Sequence, residues 1–184
     1  KKKKKSLENK KNTAKRVGAG ILDIFKSQKR DKKTLGNLLL EHLTGKKLSS
    51  RYIEKLLEEG ANINIQNHEG KTPVYLCVER NDVYIFNLLK KYYPKYDLAD
   101  TEERTPFYNA CMNGNLEMVK LLWSVKANLN QEDSQKISPF YTACSNGHFS
   151  VVHFLTTLKK EKFLTTDRNN KKTGNDIKEA INKL

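Results

Sequence analysis

The side chains best suited to catalysis or metal binding in this sequence are three cysteines and four histidines. No two cysteines form a C-x-x-C pair, and no histidine stands at zinc-ligand spacing from a cysteine. The sequence also lacks a P-loop, an H-E-x-x-H helix, a G-x-S-x-G elbow and the kinase motif set. We therefore predict that the chain is not an enzyme and has no catalytic, cofactor-binding or metal-binding residue. The cysteines and histidines are Cys77, Cys111, Cys144, His42, His68, His148 and His153.

A short glycine-containing segment begins like a dinucleotide-binding loop. Residues 18–23 read Gly-Ala-Gly-Ile-Leu-Asp, but the third glycine, a preceding strand and a βαβ frame are all missing from the sequence pattern. No nucleotide cofactor is therefore expected.

Positive charge is the strongest chemical bias of the sequence, and it is concentrated at one end. The 184 residues have a formal net charge of +14, with 35 Lys and Arg against 21 Asp and Glu. Residues 1–33 hold 14 basic and three acidic residues, a net charge of +11, whereas residues 34–184 have a net charge of only +3. Because Lys and Asn are abundant throughout, codon bias in an AT-rich genome is a competing explanation of the lysine run.

Several roles are compatible with this basic tail, residues 1–33, which contains no repeat. The basic groups at residues 1–5, 10–11 and 15–16 suit a nuclear localisation signal. The same charge suits an auxiliary contact with nucleic acid or with an anionic membrane. The remaining alternative is a disordered linker or short amphipathic helix whose apolar residues pack on the first repeat. Those apolar residues are Val17, Ile21, Ile24 and Phe25.

The sequence also gives expectations about cellular location. No apolar h-region follows the lysine-rich start, and no stretch approaches 18 consecutive apolar residues. Cysteines without paired spacing suit a reducing compartment. We therefore expect an intracellular, cytoplasmic protein that could enter the nucleus through the tail. Since the sequence begins with Lys1 rather than Met, we also expect it to be part of a longer or processed protein.

An internal repeat supplies the elements that would position these side chains. Three Thr-Pro or Ser-Pro dipeptides stand 33 residues apart, and the segments that begin at them read TPVYLCVERN, TPFYNACMNG and SPFYTACSNG. A second apolar pattern follows each of them: VYIFNLLKK, LEMVKLLWS and FSVVHFLTT. The first set spans residues 72–81, 105–114 and 138–147, and the second spans 83–91, 116–124 and 149–157.

A 33-residue period with this Thr-Pro start and a later Val-x-x-Leu-Leu stripe resembles the ankyrin repeat. The resemblance covers roughly residues 34–184. It implies an all-α ankyrin-repeat solenoid, made of helix–turn–helix pairs with β-hairpin or turn fingers and preceded by the basic tail. The implied segments are the tail at 1–33, an N-terminal cap or diverged repeat at 34–66, repeats at 67–99, 100–132 and 133–167, and a C-terminal capping half-repeat at 168–184.

The physical chemistry of the motif agrees with that fold. Thr or Ser before Pro predicts a helix start, because the hydroxyl caps a free N–H and Pro suits the first turn. Gly114 and Gly147 would allow the turn between the two helices of a pair. Val119, Leu121 and Leu122 form an apolar stripe that recurs 33 residues before and after, and only stacked units can bury it.

Three kinds of position depart from the family pattern. The family's His after the Thr-Pro start is Tyr in all three units, so we expect the hydroxyl to form a different local bond. Glu103 and Lys136 replace the finger glycine that Gly70 retains, so the second and third fingers are expected to be less regular. Asn81 replaces the inter-helix glycine and is expected to accept a left-handed conformation. The tyrosines are Tyr75, Tyr108 and Tyr141.

Cys111 and Cys144 occupy the same place in successive repeats. Packed helices lie about 8–10 Å apart, whereas a disulfide needs Cα atoms within about 7 Å, so both residues are expected to be small buried thiols. Trp123 and Met118 are expected to fill the core or the contact between repeats. His148 is expected to have a structural role.

The resemblance implies a function in macromolecular binding. We expect a protein–protein interaction scaffold or adaptor that binds a partner on the concave groove of finger tips and first helices. One alternative is that the array is the targeting or regulatory arm of a larger multidomain enzyme, such as a kinase or ubiquitin ligase, whose catalytic domain lies outside this chain. The other is binding of nucleic acid or anionic membrane by the tail. The implied partner-binding residues are His68, Glu69, Lys71, Glu79, Arg80, Thr101, Glu102, Arg104, Met112, Asn113, Ser134, Gln135, Ile137, Ser145 and Asn146.

Arg104 and Met112 are the expected anchors of that surface, because they lie in the central repeat and hot spots gather near an interface centre. Replacing both by Ala is expected to weaken partner binding about tenfold or more and to leave the thermal melt nearly unchanged. Glu117 and Lys120 lie on the outer face, where changes are expected to leave binding intact.

Overall fold

The computed structural model describes residues 31–45 and 48–158. The chain divides into two units, Lys1–Asp31 and Lys32–Leu184. Nearly all of the basic tail and the whole of the half-repeat at 168–184 lie outside the described residues. Within the described part of the second unit there are eight helices and no strand. The helices are α1 (Lys32–Thr44), α2 (Ser50–Glu58), α3 (Pro73–Glu79), α4 (Val83–Lys90), α5 (Pro106–Met112), α6 (Leu116–Ser124), α7 (Pro139–Ser145) and α8 (Phe149–Thr157).

The helices form consecutive pairs that stack on one another. Each odd-numbered helix, which we call a first helix, contacts the even-numbered second helix that follows it. The first helices also contact one another in chain order, α1 with α3, α3 with α5 and α5 with α7. Among the second helices, α2 contacts α4 and α6 contacts α8. This stacking of helix pairs confirms the predicted all-α solenoid.

Hydroxyl caps start the first helices α3, α5 and α7. In each, Pro occupies the first turn and the preceding Thr or Ser accepts a hydrogen bond from a backbone N–H three residues later. The predicted helix starts are therefore confirmed. The capping pairs are Tyr75 N–H to Thr72 Oγ1 at 3.1 Å, Tyr108 N–H to Thr105 Oγ1 at 3.1 Å and Tyr141 N–H to Ser138 Oγ at 3.2 Å.

The core runs continuously between the two layers of helices. Val119 and Leu122 of α6 are completely buried. Their counterparts in α4, Phe86 and Leu89, are at most 1% exposed. Burying one such side chain stabilises a fold by about 1.5–3 kcal/mol. The predicted stripe is therefore part of the continuous core, although Leu121 is only partly buried.

The turn between the helices of a pair requires a left-handed residue. Gly114 and Gly147 have φ values of 70° and 72°, and Asn81 has a φ of 54° at the equivalent position, as expected. At Gly114 a Cβ atom would also lie 2.5 Å from Nδ1 of His148. Glycine at 114 is therefore required by a close side-chain approach as well as by the backbone.

The fingers are turns rather than β-hairpins in the described residues, and all three have the same geometry. Glu103 and Lys136 adopt φ values of 61° and 64°, close to the 77° of Gly70. The expectation that the second and third fingers are less regular is wrong. Its physical reason lies in aspartates that hold these turns, described below. The three fingers span residues 67–72, 100–105 and 133–138.

No described helix is both long enough and apolar enough to cross a bilayer.

Candidate functional site

An Asn or Asp side chain closes each finger. Oδ1 of Asp100 accepts hydrogen bonds from the backbone N–H groups of Glu102 (2.9 Å) and Arg104 (3.0 Å). The side-chain oxygens of Asn67 and Asp133 do the same two and four residues later in their own fingers. Because these bonds hold the whole turn, they offset the roughly 1–2 kcal/mol that a non-glycine residue costs in the left-handed region.

Neighbouring fingers are joined to each other through the backbone. The N–H of Thr101 donates to the carbonyl of Glu69 at 2.9 Å, and the N–H of Ser134 donates to the carbonyl of Glu102 at 2.9 Å. The two bonds are equivalent and one repeat apart. The three finger tips are therefore one hydrogen-bonded row rather than three independent loops.

Tyrosine hydroxyls tie each first helix to the next finger. Tyr75 donates to Oδ2 of Asp100 at 2.7 Å, and Tyr108 donates to Oδ2 of Asp133 at 2.7 Å. Both bonds join residues in successive repeats, so the expectation of a local bond is wrong for these two tyrosines: each buried ring is long enough to reach the next finger. Burial, together with the nearby Asp133 carboxylate, raises the pKa of Tyr108 to about 12, although its bond with Thr142 opposes the shift.

Arg104 completes the central finger by pairing with the same aspartate. Its guanidinium donates from Nε at 2.9 Å and from a terminal nitrogen at 2.8 Å to Oδ2 of Asp100. The other terminal nitrogen lies 3.0 Å from Glu102 Oε2. Burial by itself raises the pKa of Asp100, but the hydrogen bonds from Tyr75 and Arg104 outweigh it and hold that pKa below its usual value.

This pairing changes one expectation about Arg104. The Asp100 side chain is only 1% exposed, and that of Arg104 is 23% exposed. Removing the guanidinium would leave a buried carboxylate without its cation, which is strongly destabilising. From the structure we therefore expect the Arg104→Ala change to lower the melting temperature, whereas the sequence alone predicted an unchanged melt.

Lys71 occupies the equivalent position in the first finger and has a comparable supporting role. Its ammonium nitrogen lies 2.9 Å from Glu69 Oε2 and 2.8 Å from Glu79 Oε1. Burial lowers the pKa of Lys71, but its bonds to Glu79 and Glu69 more than compensate and raise it above the usual value. In the third finger the same position is Ile137.

The structure places the fifteen predicted partner-binding residues on the finger turns and at the ends of the first helices. None of them is buried. Lys71, Arg104, Met112 and Ile137 are partly exposed, and the other eleven are exposed. Their accessibility permits the predicted role, and partner binding by these residues stays a prediction.

The ends of the first helices are also joined across repeats. The carbonyl of Met112 accepts a hydrogen bond from Nδ2 of Asn146 at 2.9 Å and lies 2.8 Å from Nε2 of His148. Arg80 similarly donates to the carbonyl of Gly45 at 3.1 Å. His148 therefore has the structural role expected for it. Arg80 and Asn146 combine exposure to solvent with contacts to the preceding repeat.

The cysteines show no sign of a reactive site. No disulfide joins Cys77, Cys111 or Cys144, all of which are described, and the first two are buried. Burial raises the pKa of both buried thiols and so disfavours their thiolate forms. Cys144 is partly exposed, contrary to expectation. Across residues 31–45 and 48–158, no three His, Cys, Asp or Glu side chains cluster as metal ligands would.

Trp123 is more exposed than expected for a residue that fills the core. Met118 is completely buried as expected, but Trp123 is 46% exposed. Its ring makes a T-shaped contact with Phe154 of the next repeat, with ring centroids 6.0 Å apart. The expectation of a contact between repeats is therefore correct, although nearly half of the residue is exposed.

Sequence reasoning missed the residues that organise the fingers, namely Asn67, Asp100 and Asp133. A signal was present, since Asn or Asp stands five residues before the Thr or Ser of all three Pro dipeptides. An acceptor at that place in a short turn indicates a side chain that bonds its own backbone. The tyrosine contacts could not be found in this way because they join different repeats.

The comparisons with known proteins agree with the repeat geometry. The family model described as Ankyrin repeats (3 copies) matches residues 39–133 and 86–167, which together cover more than half of the chain. No curated protein matches the sequence.

Proposed function

The chain belongs to the ankyrin-repeat family, a fold of non-catalytic interaction modules, and from this premise we propose that it is a scaffold or adaptor that binds a protein partner through its fingers and first helices. The proposed site is the set of fifteen finger and first-helix residues described above. Their identities vary from repeat to repeat, while the Thr-Pro or Ser-Pro starts and the apolar stripe recur. A fixed shape with variable surface chemistry is what a specific binding surface needs.

The observation that carries the proposal is the hydrogen-bonded row of fingers. Thr101 and Ser134 join each finger to the one before it, and the bonds of Tyr75 and Tyr108 fix the fingers to the first helices. A surface that is already ordered loses less conformational entropy when a partner binds. This order supports a binding role for the finger side of the repeats.

The central repeat is the proposed centre of the interface. Met112 is partly exposed at the end of α5, and its flexible thioether side chain can adapt to an apolar group on a partner. Glu102 lies nearby in the sequence of the same repeat, exposed at the finger tip. Arg104 contributes through the Asp100 pair that supports the finger, so it is unsuitable as a clean probe of binding.

The test uses the full chain as bait in a nuclease-treated cell extract, with mass spectrometry of the captured proteins. Nuclease treatment removes capture through nucleic acid held by the basic tail. For each candidate, the dissociation constant is then measured for the double variant Glu102→Ala/Met112→Ala. We expect binding to weaken about tenfold or more, equivalent to about 1.4 kcal/mol.

The matched control is the double variant Glu117→Ala/Lys120→Ala. Both of these residues are exposed on α6, in the same repeat but on a second helix. We expect this variant to bind the partner as the wild type does. Loss of binding in the control with retention in the Glu102/Met112 variant would contradict the proposal.

A further inference from the structure

The ends of the second helices α4 and α6 carry aromatic residues and lysines at equivalent positions. Lys90 is the last residue of α4, and Tyr93 lies three residues beyond it. Their counterparts 33 residues later are Trp123, in the last turn of α6, and Lys126, two residues beyond that helix. The backbone is the same at both ends. Tyr93 N–H donates to the Lys90 carbonyl at 3.2 Å, and Lys126 N–H donates to the Trp123 carbonyl at 3.0 Å. The order of cation and aromatic ring is thus reversed from one repeat to the next.

Both aromatic rings are accessible although the helices that carry them are packed. Tyr93 is 89% exposed and Trp123 is 46% exposed. Phe154 makes a T-shaped contact with the Trp123 ring. The apolar stripes of α4 and α6 face the core, where Leu89 and Leu122 are completely buried. The exposed rings are therefore separate from the core rather than an extension of it.

Lysines outnumber acidic residues in the two segments that carry these rings, and one of these lysines, Lys91, lies 3.9 Å from Glu54 Oε1. Residues 83–99 and 116–132 contain five lysines and three acidic residues, whereas the finger and first-helix segments 67–82 and 100–115 contain three basic and six acidic residues. A bond of 2.7 Å from Asn128 N–H to Asp97 Oδ1 joins the loops that follow α4 and α6. We call the following residues the helix-end patch: Lys90, Lys91, Tyr93, Lys95, Trp123 and Lys126.

We propose that the helix-end patch binds single-stranded nucleic acid, with bases stacking on Tyr93 and Trp123 and with phosphates near the lysines. Exposed aromatic rings interleaved with cations are the arrangement that binds single strands without reading their sequence. An acidic protein would satisfy the lysines but would leave the rings unexplained. A bilayer would require an exposed apolar stripe, and the stripes of α4 and α6 are used in the core. This site is separate from the proposed partner-binding groove.

Trp123 gives a direct readout, because it is the only tryptophan in the chain. The full chain is titrated with an oligothymidylate of about twelve nucleotides, within the usual range of single-strand sites, and separately with heparin. We expect the oligonucleotide to quench Trp123 fluorescence, because a stacked base contacts the indole ring. Heparin, which has charge but no bases, is expected to bind the basic tail and leave the emission unchanged. Equal quenching by both, or none by the oligonucleotide, overturns the proposal.

Lipid vesicles of equimolar phosphatidylserine and phosphatidylcholine test the membrane alternative. A blue shift of Trp123 emission with these vesicles, without quenching by oligothymidylate, overturns the proposal in favour of a lipid surface. An unchanged emission with vesicles, together with quenching by oligothymidylate, supports it.

Variants separate stacking from charge. Tyr93→Ala should weaken oligothymidylate binding about fivefold or more, since stacking on an aromatic side chain contributes about 1–3 kcal/mol per base. The control Tyr84→Ala removes a ring that is 70% exposed at the other end of α4 and should leave affinity unchanged.

The double variant Lys90→Gln/Lys126→Gln tests the charge. It should reduce the magnitude of the slope of log affinity against log salt concentration by about 1.4. Wild-type affinity in Tyr93→Ala, or an equal loss in Tyr84→Ala, overturns the proposal.

Discussion

The finger side and the second-helix side of the same repeats are built in different ways. On the finger side, Thr72, Thr105 and Ser138 cap their helices through the same side-chain bond. On the second-helix side, Asp82 caps α4, but among the described residues its counterparts Asn115 and His148 make no such bond. These two side chains reach back to the preceding repeat instead.

This difference shows which structural features recur from one repeat to the next. The finger side repeats the same turns, caps and Tyr–Asp bonds, so its backbone is fixed while its exposed side chains vary. The second-helix side keeps its buried stripe, the left-handed ends of α4 and α6, and one loop bond that recurs from Lys95 N–H to Asn64 and from Asn128 N–H to Asp97. It differs in caps, charge and exposed rings. A shape-specific partner therefore suits the finger side, and a charge-driven ligand that tolerates variation suits the other.

The largest effect is expected from Asp100→Ala, which removes the centre of the finger-side network. The change leaves the Tyr75 hydroxyl, two of the three Arg104 guanidinium nitrogens and two turn amides without their Asp100 acceptor. We expect the free energy of unfolding to fall by about 3 kcal/mol, because buried partners of a charged group are left unsatisfied. Urea denaturation measures it. Thr101→Ala, at an exposed site of the same finger, should stay within about 0.5 kcal/mol of the wild type.

Gly114 and Gly147 together test the contribution of His148, which packs against Gly114 instead of capping α8 with its side chain. Gly114→Ala should destabilise the fold by about 2–3 kcal/mol, because it adds a clash with the His148 ring to the unfavourable φ. Within the described residues, a Cβ at Gly147 would meet no atom within 4 Å. Gly147→Ala should therefore lose only about 1–2 kcal/mol. Equal losses in the two variants would show that the His148 approach has no energetic role.

One substitution at each helix start compares the capped first helix α5 with the uncapped second helix α6. Thr105→Ala should lower stability by about 1 kcal/mol, because it removes the acceptor for the Tyr108 N–H. Asn115→Ala removes no cap and only a 3.5 Å contact with the Val78 carbonyl, so a change below about 0.5 kcal/mol is expected. Thermal melts of both variants check this order. A larger loss at Asn115 would reverse the comparison.

The smallest effect concerns pH and again involves Asp100. Its folded-state pKa is lowered, so its ionised form adds stability above the unfolded pKa of about 3.9, and this is lost as the pH falls through the folded value. The free energy of unfolding of the wild type should therefore exceed that of Asp100→Asn by a constant amount down to about pH 5. This difference should become smaller below about pH 4. Asn is a fair replacement because Asn67 already holds the first finger turn. A margin independent of pH would contradict this assignment.

The sequence was sufficient for the features that depend on local pattern. The 33-residue period, the hydroxyl–proline helix starts and the apolar stripe together predicted the helices, their pairing and the left-handed Asn81. The fingers were misjudged because Glu103 and Lys136 were weighed by their own backbone preference, without the side chains of Asp100 and Asp133 that stabilise the turn. The exposure of Trp123 depends on how the second helix packs against the next repeat, which no local pattern records.

The most direct test of the account is amide hydrogen exchange at Thr101 and Ser134, which donate the bonds between fingers. Both amides lie in exposed turns, but opening their hydrogen bonds requires separating the repeats. We therefore expect their free energies of opening to lie within about 1 kcal/mol of those of core helix amides such as that of Asn109. Tyr75→Phe should reduce protection at Thr101 but not at Ser134, and Tyr108→Phe should do the reverse. Exchange at the rate of an unstructured peptide, or equal losses at both amides in either variant, would contradict a hydrogen-bonded row of fingers.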